Sequence, residues 1–313
     1  MATSAPGERE KKQKMSKDAA NLKLQTLLGD YPNTLALKRG DIRSPNIVFD
    51  FAAVKVPNTA FKDVVRHLKY DVAELAIVTF LQAKAHGKPL VLLPAVVVGT
   101  LPHPFLVFNR ERGSFTPPEL KGRRVGIRAY SVTTATWIRG ILQNDFGVDL
   151  ESIHWVTFED AHVAEYRDPA NAERARAGKQ LVKMLLDGEL DAAVVGGPDL
   201  KDPRLKPVIP NPTEAAKSWC QRHVAMPINH MVVVKESLTK SNASAVREIY
   251  SLLYKSRQAA SPAGEELNAL QFGVAAIRKS LELIINYSVQ QGLIPRRFAV
   301  DELFDEATRA FSN

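Results

Sequence analysis

Short runs of β-type residues alternate with longer helical patterns along nearly the whole chain, and this alternation constrains the fold more than any other feature. Residues 22–28 read as a buried strand, ended by the turn-rich cluster Gly29-Asp30-Tyr31-Pro32-Asn33. A helix over 34–39, closed by Gly40, leads to a second strand at 47–54. Phe61, Val64, Val65 and Leu68 recur at helical spacing within 59–68. Residues 74–86 read as a further helix, stopped by Gly87 and Pro89, before the strand 90–98. The pattern resumes with strands at 105–109, 125–127, 154–158, 192–195 and 231–234. Helices over 133–144 and 179–186 separate them, and helical stretches at 244–255, 273–285 and 300–311 end the chain. Such alternation predicts an α/β fold of mainly parallel sheets with crossover helices.

The pattern has one long insertion. A middle α/β unit, residues 105–228, interrupts a unit made of 22–104 and 229–313 that includes the C-terminal helices. The strands 105–109 and 231–234 are expected to cross between these two lobes. That layout places a central ligand cleft where strand ends and helix N-termini converge. Residues 1–21 form a polar leader or tag carrying Arg9, Lys11, Lys12, Lys14 and Lys17 among Glu8, Glu10 and Asp18. It has no apolar core of the secretory type, so the expected location is the cytoplasm.

Composition narrows the function. The net charge is +8, from 42 basic and 34 acidic side chains. The basic residues are scattered, and no helix-turn-helix, zinc finger or aromatic–basic platform accompanies them, so no nucleic-acid partner is expected. The longest apolar stretch, 90–101, is interrupted by Pro94 and Gly99 and is far shorter than the ~20 residues of a spanning helix, so no membrane partner is expected. A lone Cys220 permits neither an internal disulfide nor a multi-cysteine metal site. No Gly-x-Gly-x-x-Gly joins a strand to a helix and no Gly-x-Ser-x-Gly is present, which argues against dinucleotide binding and acyl transfer.

Several segments resemble one family. Leu-Gly-Asp-Tyr-Pro-Asn-Thr (28–34), Phe-Asp-Phe-Ala-Ala-Val (49–54), Asp-Val-Ala-Glu-Leu-Ala-Ile-Val-Thr-Phe-Leu (71–81) and Gly-Ile-Arg-Ala-Tyr-Ser (126–131) are similar to 4,5-dihydroxyphthalate decarboxylase. So are Trp-Val-Thr-Phe-Glu-Asp (155–160), Leu-Leu-Asp-Gly-Glu-Leu-Asp-Ala-Ala-Val-Val-Gly (185–196) and Pro-Ile-Asn-His-Met-Val-Val-Val (227–234). The resemblance runs from about residue 22 into the C-terminal helices. It implies a two-lobed type 2 periplasmic-binding-protein fold used as a cytoplasmic enzyme. The Leu-Asp-Gly-Glu-Leu-Asp-Ala segment recurs widely in binding-protein folds and says little about chemistry.

The implied substrate is a small anionic aromatic with two carboxylates, each para to a phenolic hydroxyl. Losing one carboxylate requires a base at the phenol, an acid at the ring carbon and a clamp for the retained carboxylate. No electron-sink cofactor is required, because the ring itself holds the charge. The turn Arg128-Ala129-Tyr130-Ser131-Val132-Thr133-Thr134 follows a strand and opens a helix, which suits it as the clamp. Arg128 offers a bidentate contact, Tyr130 belongs to the same turn, and Ser131, Thr133 and Thr134 offer hydroxyls. Ordinary N-capping by Ser131 or Thr133 is the plainer reading. Arg139, farther along that helix, reads as a solvated residue.

His230, beside Asn229, His162 and Glu74 are the acid–base candidates, followed by Asp30 and Tyr31 as substrate-facing loop residues. Histidine suits proton transfer because its reference pKa lies near 6.5. Glu74, next to Asp71, equally fits a helix cap. Glu159, Asp160, His162 and Glu165 are potential metal donors, but their spacing matches no ligand motif, so no metal is expected. His103, between two prolines, reads as a linker residue. Two rival readings share the fold: a solute-binding protein for an aromatic or dicarboxylic anion, and an effector-binding regulatory domain. The C-terminal helices supply surface for self-association, which leaves a homo-oligomer open.

Overall fold

The computed structural model describes residues 21–260 and 270–311, so the basic leader lies outside the described residues. The first sheet is begun by β1 (Leu22–Leu27), β2 (Ile47–Phe51), β3 (Val72–Ala76) and β4 (Leu90–Gly99). The second follows with β5 (Leu106–Asn109), β6 (Arg124–Ile127), β7 (His154–Thr157), β8 (Ala172–Arg174), β9 (Ala192–Val194) and β10 (Leu205–Pro207). Strand β11 (Ile228–Lys235) then returns to the first sheet, whose order is β2-β1-β3-β11-β4; the second runs β10-β5-β9-β6-β7-β8. Pairings β1–β2, β1–β3, β6–β7, β6–β9 and β7–β8 are parallel, as expected of crossover helices. Strand β11 is antiparallel to both neighbours.

The helices are α1 (Pro32–Lys38), α2 (Phe61–His67), α3 (Ile77–Ala85), α4 (Thr133–Phe146), α5 (Leu181–Asp187), α6 (Pro212–His223), α7 (Glu236–Ser241), α8 (Ala243–Ala259), α9 (Val274–Gln290) and α10 (Glu306–Arg309). One buried cluster runs through both sheets, joining Phe80, Leu92 and Met231 to Ile127, Trp137, Trp155 and Ile284. A second packs α8, through Ile249 and Leu253, on Leu93, Val232 and Val234. Helices α4 and α9 approach so closely that a Cβ on Gly140 would lie 2.0 Å from the Tyr287 ring. Glycine at that position is therefore a packing requirement.

Three expectations need correction. Residues 74–86 are not one helix, because β3 occupies 72–76 and α3 begins at Ile77. All five residues of β3 are buried, so an apolar run covered on both faces imitates a buried helix. Neither expected crossing strand crosses: β5 pairs only within the second sheet and β11 only within the first. The chain passes between sheets in the links 100–105 and 208–227, the latter containing α6. Finally, 300–311 divides into a 3-10 turn (Val300–Leu303) and α10. Strands β8 and β10, Ala-Glu-Arg and Leu-Lys-Pro, carry no hydrophobic alternation, and backbone pairing alone defines them.

Candidate active site

Glu74 has no exposed surface, although it is a carboxylate in the middle of a sheet. Its cost is offset by three donors. The Gly29 N–H donates to Oε2 at 2.6 Å, the Tyr31 hydroxyl donates to Oε1 at 2.7 Å, and His230 Nδ1 lies 2.7 Å from the same Oε1. A carboxylate can only accept, so in this pairing His230 Nδ1 is the donor, and Nε2 is the ring nitrogen not engaged by Glu74. Register explains the meeting. His230 stands opposite Ala76 and Val232 opposite Glu74, which makes Glu74 and His230 diagonal neighbours on one face.

Local features support this cluster. Gly29 lies under the Tyr31 ring, where an added Cβ would be 2.5 Å from Cζ. Burial and the neighbouring Glu74 and Asp30 charges push the Tyr31 phenol well above its usual pKa, so it stays a donor. Asp30 itself pairs with Lys38 on the exposed side of the loop. Between Ile228 and His230, β11 uses two residues where β4 uses one, so Asn229 sits in a β-bulge. Such a bulge re-aims side chains. Asn229 is buried, and its Nδ2 donates to Thr134 Oγ1 at 3.0 Å.

His162 occupies a different environment. It is buried, with Nδ1 2.8 Å from Thr79 Oγ1. Burial first, then Arg128, Lys62, His230 and Arg66, push its pKa down to about 3. The imidazole is therefore neutral at neutral pH. Phe61 joins the two histidines, with its ring edge-on to His162 at 5.5 Å and to His230 at 5.1 Å.

A cavity of about 1210 Å³ opens at the carboxyl ends of β6, β7 and β9. Strand β6 has β7 on one side and β9 on the other, so this is the point where strand order reverses, the usual ligand crevice of an α/β sheet. Arg128, Val132, Thr134, Ala135 and Glu159 line it. Its walls do not include Glu74, Tyr31 or His230; the Thr134–Asn229 hydrogen bond joins the two places. Helix α4 starts here with Val132 at its N-cap and no side-chain cap, which corrects the capping reading of Ser131 and Thr133. Ser131 is buried, and Thr133 Oγ1 instead accepts from the Val78 N–H at 3.2 Å. Arg128 lines the cavity but is paired with Glu159 at 2.8 Å, so an incoming anion must share it.

Two residues of this turn region differ from expectation. Tyr130 is buried and faces the second sheet, with Trp155 edge-on to its ring. Arg139 is fully buried, not solvated: its guanidinium lies 3.9 Å over the Tyr130 ring, Nη2 donates to the Tyr130 carbonyl at 2.6 Å and Nε to Gln291 Oε1 at 2.8 Å. Helical periodicity puts Arg139 on a face, but only α9 packing beside α4 shows that the face is covered. His103 is likewise buried, and burial lowers its pKa to about 4.

The acidic loop after β7 gathers no ligand set. Glu159 pairs with Arg128, Asp160 with Arg174 at 3.4 Å and Glu165 with Lys88 at 2.6 Å. Among the described residues, no group of three His, Cys, Asp or Glu side chains is placed to hold a metal, and no helix is long and apolar enough to cross a membrane. Cys220 is partly buried, which raises its pKa and keeps it a thiol.

No family model matches the chain. In sequence it is 26% identical over 243 residues to the 4,5-dihydroxyphthalate decarboxylase of Comamonas testosteroni, covering 71% of each chain. It is 27% identical over 212 residues to the Pseudomonas putida protein of that name, covering 63% of this chain and 81% of the relative. Among solved structures, the periplasmic aliphatic sulphonate binding protein SsuA from Escherichia coli superposes with a TM-score of 0.58 at 12% identity, over 91% of this chain and 98% of that one. The desulfurization enzyme DSZB gives 0.58 at 13% identity, over 92% and 98%. SsuA from Xanthomonas axonopodis pv. citri, bound to MOPS, gives 0.54 at 16% identity, over 90% and 98%. The chain thus has a type 2 periplasmic-binding-protein-like fold and is similar in sequence to 4,5-dihydroxyphthalate decarboxylases.

Proposed function

We propose that this protein removes one carboxylate from 4,5-dihydroxyphthalate, or a closely related hydroxylated aromatic carboxylate, to give 3,4-dihydroxybenzoate and carbon dioxide. The observation that carries the reading is the Glu74–His230 pair, a buried carboxylate holding a partly exposed imidazole by Nδ1. Carboxylate–imidazole pairing of this kind sets the tautomer and orientation of a proton-transfer histidine. Similarity to two decarboxylases supplies the reaction class.

In this mechanism His230 Nε2 takes the proton of the hydroxyl para to the departing carboxylate. Electron density moves to the carbon bearing that carboxylate, which accepts a proton from the imidazolium. The carbon–carbon bond then breaks, its electron pair restores the aromatic ring and carbon dioxide leaves. The product phenolate then takes up one proton from solvent, which is the single proton consumed overall. Arg128 and the uncapped N-terminus of α4 hold a carboxylate. Tyr31 and the Gly29 N–H keep Glu74 in place. His162, held neutral against Thr79, is assigned a packing role beside Phe61.

The fold shared with SsuA favours a second reading, a binding protein for an aromatic or dicarboxylic anion. The two separate in one assay. Chelator-treated protein incubated with 4,5-dihydroxyphthalate is expected to release carbon dioxide and accumulate 3,4-dihydroxybenzoate. Tight binding with no release would replace the enzyme by the binding protein.

A further inference from the structure

The Asn229 amide is more than nine-tenths buried, yet only one of its two ends is used. Its Nδ2 donates to Thr134 Oγ1 at 3.0 Å, while Oδ1 is buried with no hydrogen-bond partner among the described residues. Leaving such an acceptor unmade typically costs more than a good hydrogen bond gains, so an orphan in a native structure calls for an explanation. Its place is informative. Asn229 occupies the bulge of β11, next in sequence to His230, and its partner Thr134 lines the large cavity at the N-terminus of α4.

The pair also has a defined polarity. Because Thr134 Oγ1 accepts from Asn229, the Thr134 hydroxyl hydrogen is free to donate to something else. An acceptor, Asn229 Oδ1, and a donor, Thr134 O–H, therefore stand side by side. Their complement is a ligand edge with a donor beside an acceptor. Two adjacent ring hydroxyls, one of them ionised, have that pattern. A carboxylate does not, since it has no donor for Oδ1.

We infer that the Asn229–Thr134 pair recognises an ortho-diol edge of the substrate, Asn229 accepting from the remaining hydroxyl and Thr134 donating to the ionised oxygen. This rests on the decarboxylase reading, in which one ring hydroxyl is deprotonated, and it makes Asn229 a specificity-determining residue.

Calorimetric titration with 4,5-dihydroxyphthalate and with phthalate, which lacks both hydroxyls, tests the inference. Sites that hydrogen-bond a substrate hydroxyl reject analogues lacking it. The unaltered protein is expected to prefer the diol by at least about tenfold, the scale of one buried hydrogen bond. Asn229→Leu, which keeps the volume and removes the amide, should collapse that preference to within about threefold, mostly by weakening the diol. Thr134→Val, on a different element, should reduce it in the same direction, so the test survives if one variant fails to fold. A preference unchanged in a folded variant, or no preference in the unaltered protein, overturns the inference. Diol preference without carbon dioxide release would instead sink the decarboxylase reading and leave the recognition standing.

Discussion

The two histidines on either side of Phe61 have contrasting surroundings, although both rings meet the same phenyl ring edge-on. His230 sits on a central strand with a buried carboxylate at Nδ1. His162 sits on a loop after β7, bonded to the neutral Thr79 hydroxyl and surrounded by Arg128, Lys62 and Arg66. The second environment opposes positive charge on the ring, whereas the first sets a buried carboxylate against one ring nitrogen. An imidazole that must gain and lose a proton in one catalytic cycle belongs with the carboxylate.

The largest expected effect separates the pair directly. His230→Gln should lower turnover by about 10²–10⁴-fold, the scale of general acid–base catalysis, whereas His162→Gln should lower it less than about tenfold. Carbon dioxide release measured on both variants checks this, and equal losses would abolish the distinction. Arg128→Ala should follow, weakening the substrate about tenfold to a hundredfold through loss of a charge-assisted contact. Because Arg128 also pairs with Glu159, Glu159→Gln should tighten binding modestly. Calorimetry reads both variants, and an unchanged affinity in Arg128→Ala places the clamp elsewhere.

Gly29→Ala probes the support beneath His230. The new methyl meets the Tyr31 ring at 2.5 Å and should push the phenol off Glu74, at a cost of about 1–3 kcal/mol in urea unfolding. In a Tyr31→Phe background the rearrangement has no hydrogen bond to break, so the cost should shrink. A full cost in both backgrounds would show that crowding alone is responsible.

The smallest effect concerns acid stability. His162 and His103 have folded pKa values of about 3 and about 4, below the unfolded reference of about 6.5. Between those values the unfolded chain binds more protons, so stability rises with pH and is lost as pH falls below about 6.5. From pH 6.5 to 5, above the range in which carboxylates such as Glu302 titrate, each histidine should remove on the order of 1–2 kcal/mol. His162→Gln should flatten that slope in chemical denaturation. An unaltered slope would mean that the ring is not held neutral.

Much of this site was legible in advance because its residue types are rare in their settings. A histidine beside an asparagine at a strand entrance, and a carboxylate in an otherwise apolar run, stand out without a structure. Arg128 was legible from its place between a strand and a helix. The helix assigned to 74–86 shows where such reading stops. Continuous apolar sequence is the mark of burial on all sides, and burial on all sides suits a central strand as well as a helix.

The amino-acid order by itself determined the alternation of strands and helices, hence an α/β chain with an insertion, and the candidates His230, Glu74, Tyr31 and Arg128. Only the tertiary structure decided that Glu74 and His230, 156 residues apart, are diagonal neighbours, that Tyr130 and Arg139 are buried together, and that Asn229 Oδ1 is a buried acceptor unused among the described residues. The reason is physical. Periodicity records which face of an element is apolar, whereas cross-strand register, a bulge and the covering of one helix by another are set by partners distant in sequence.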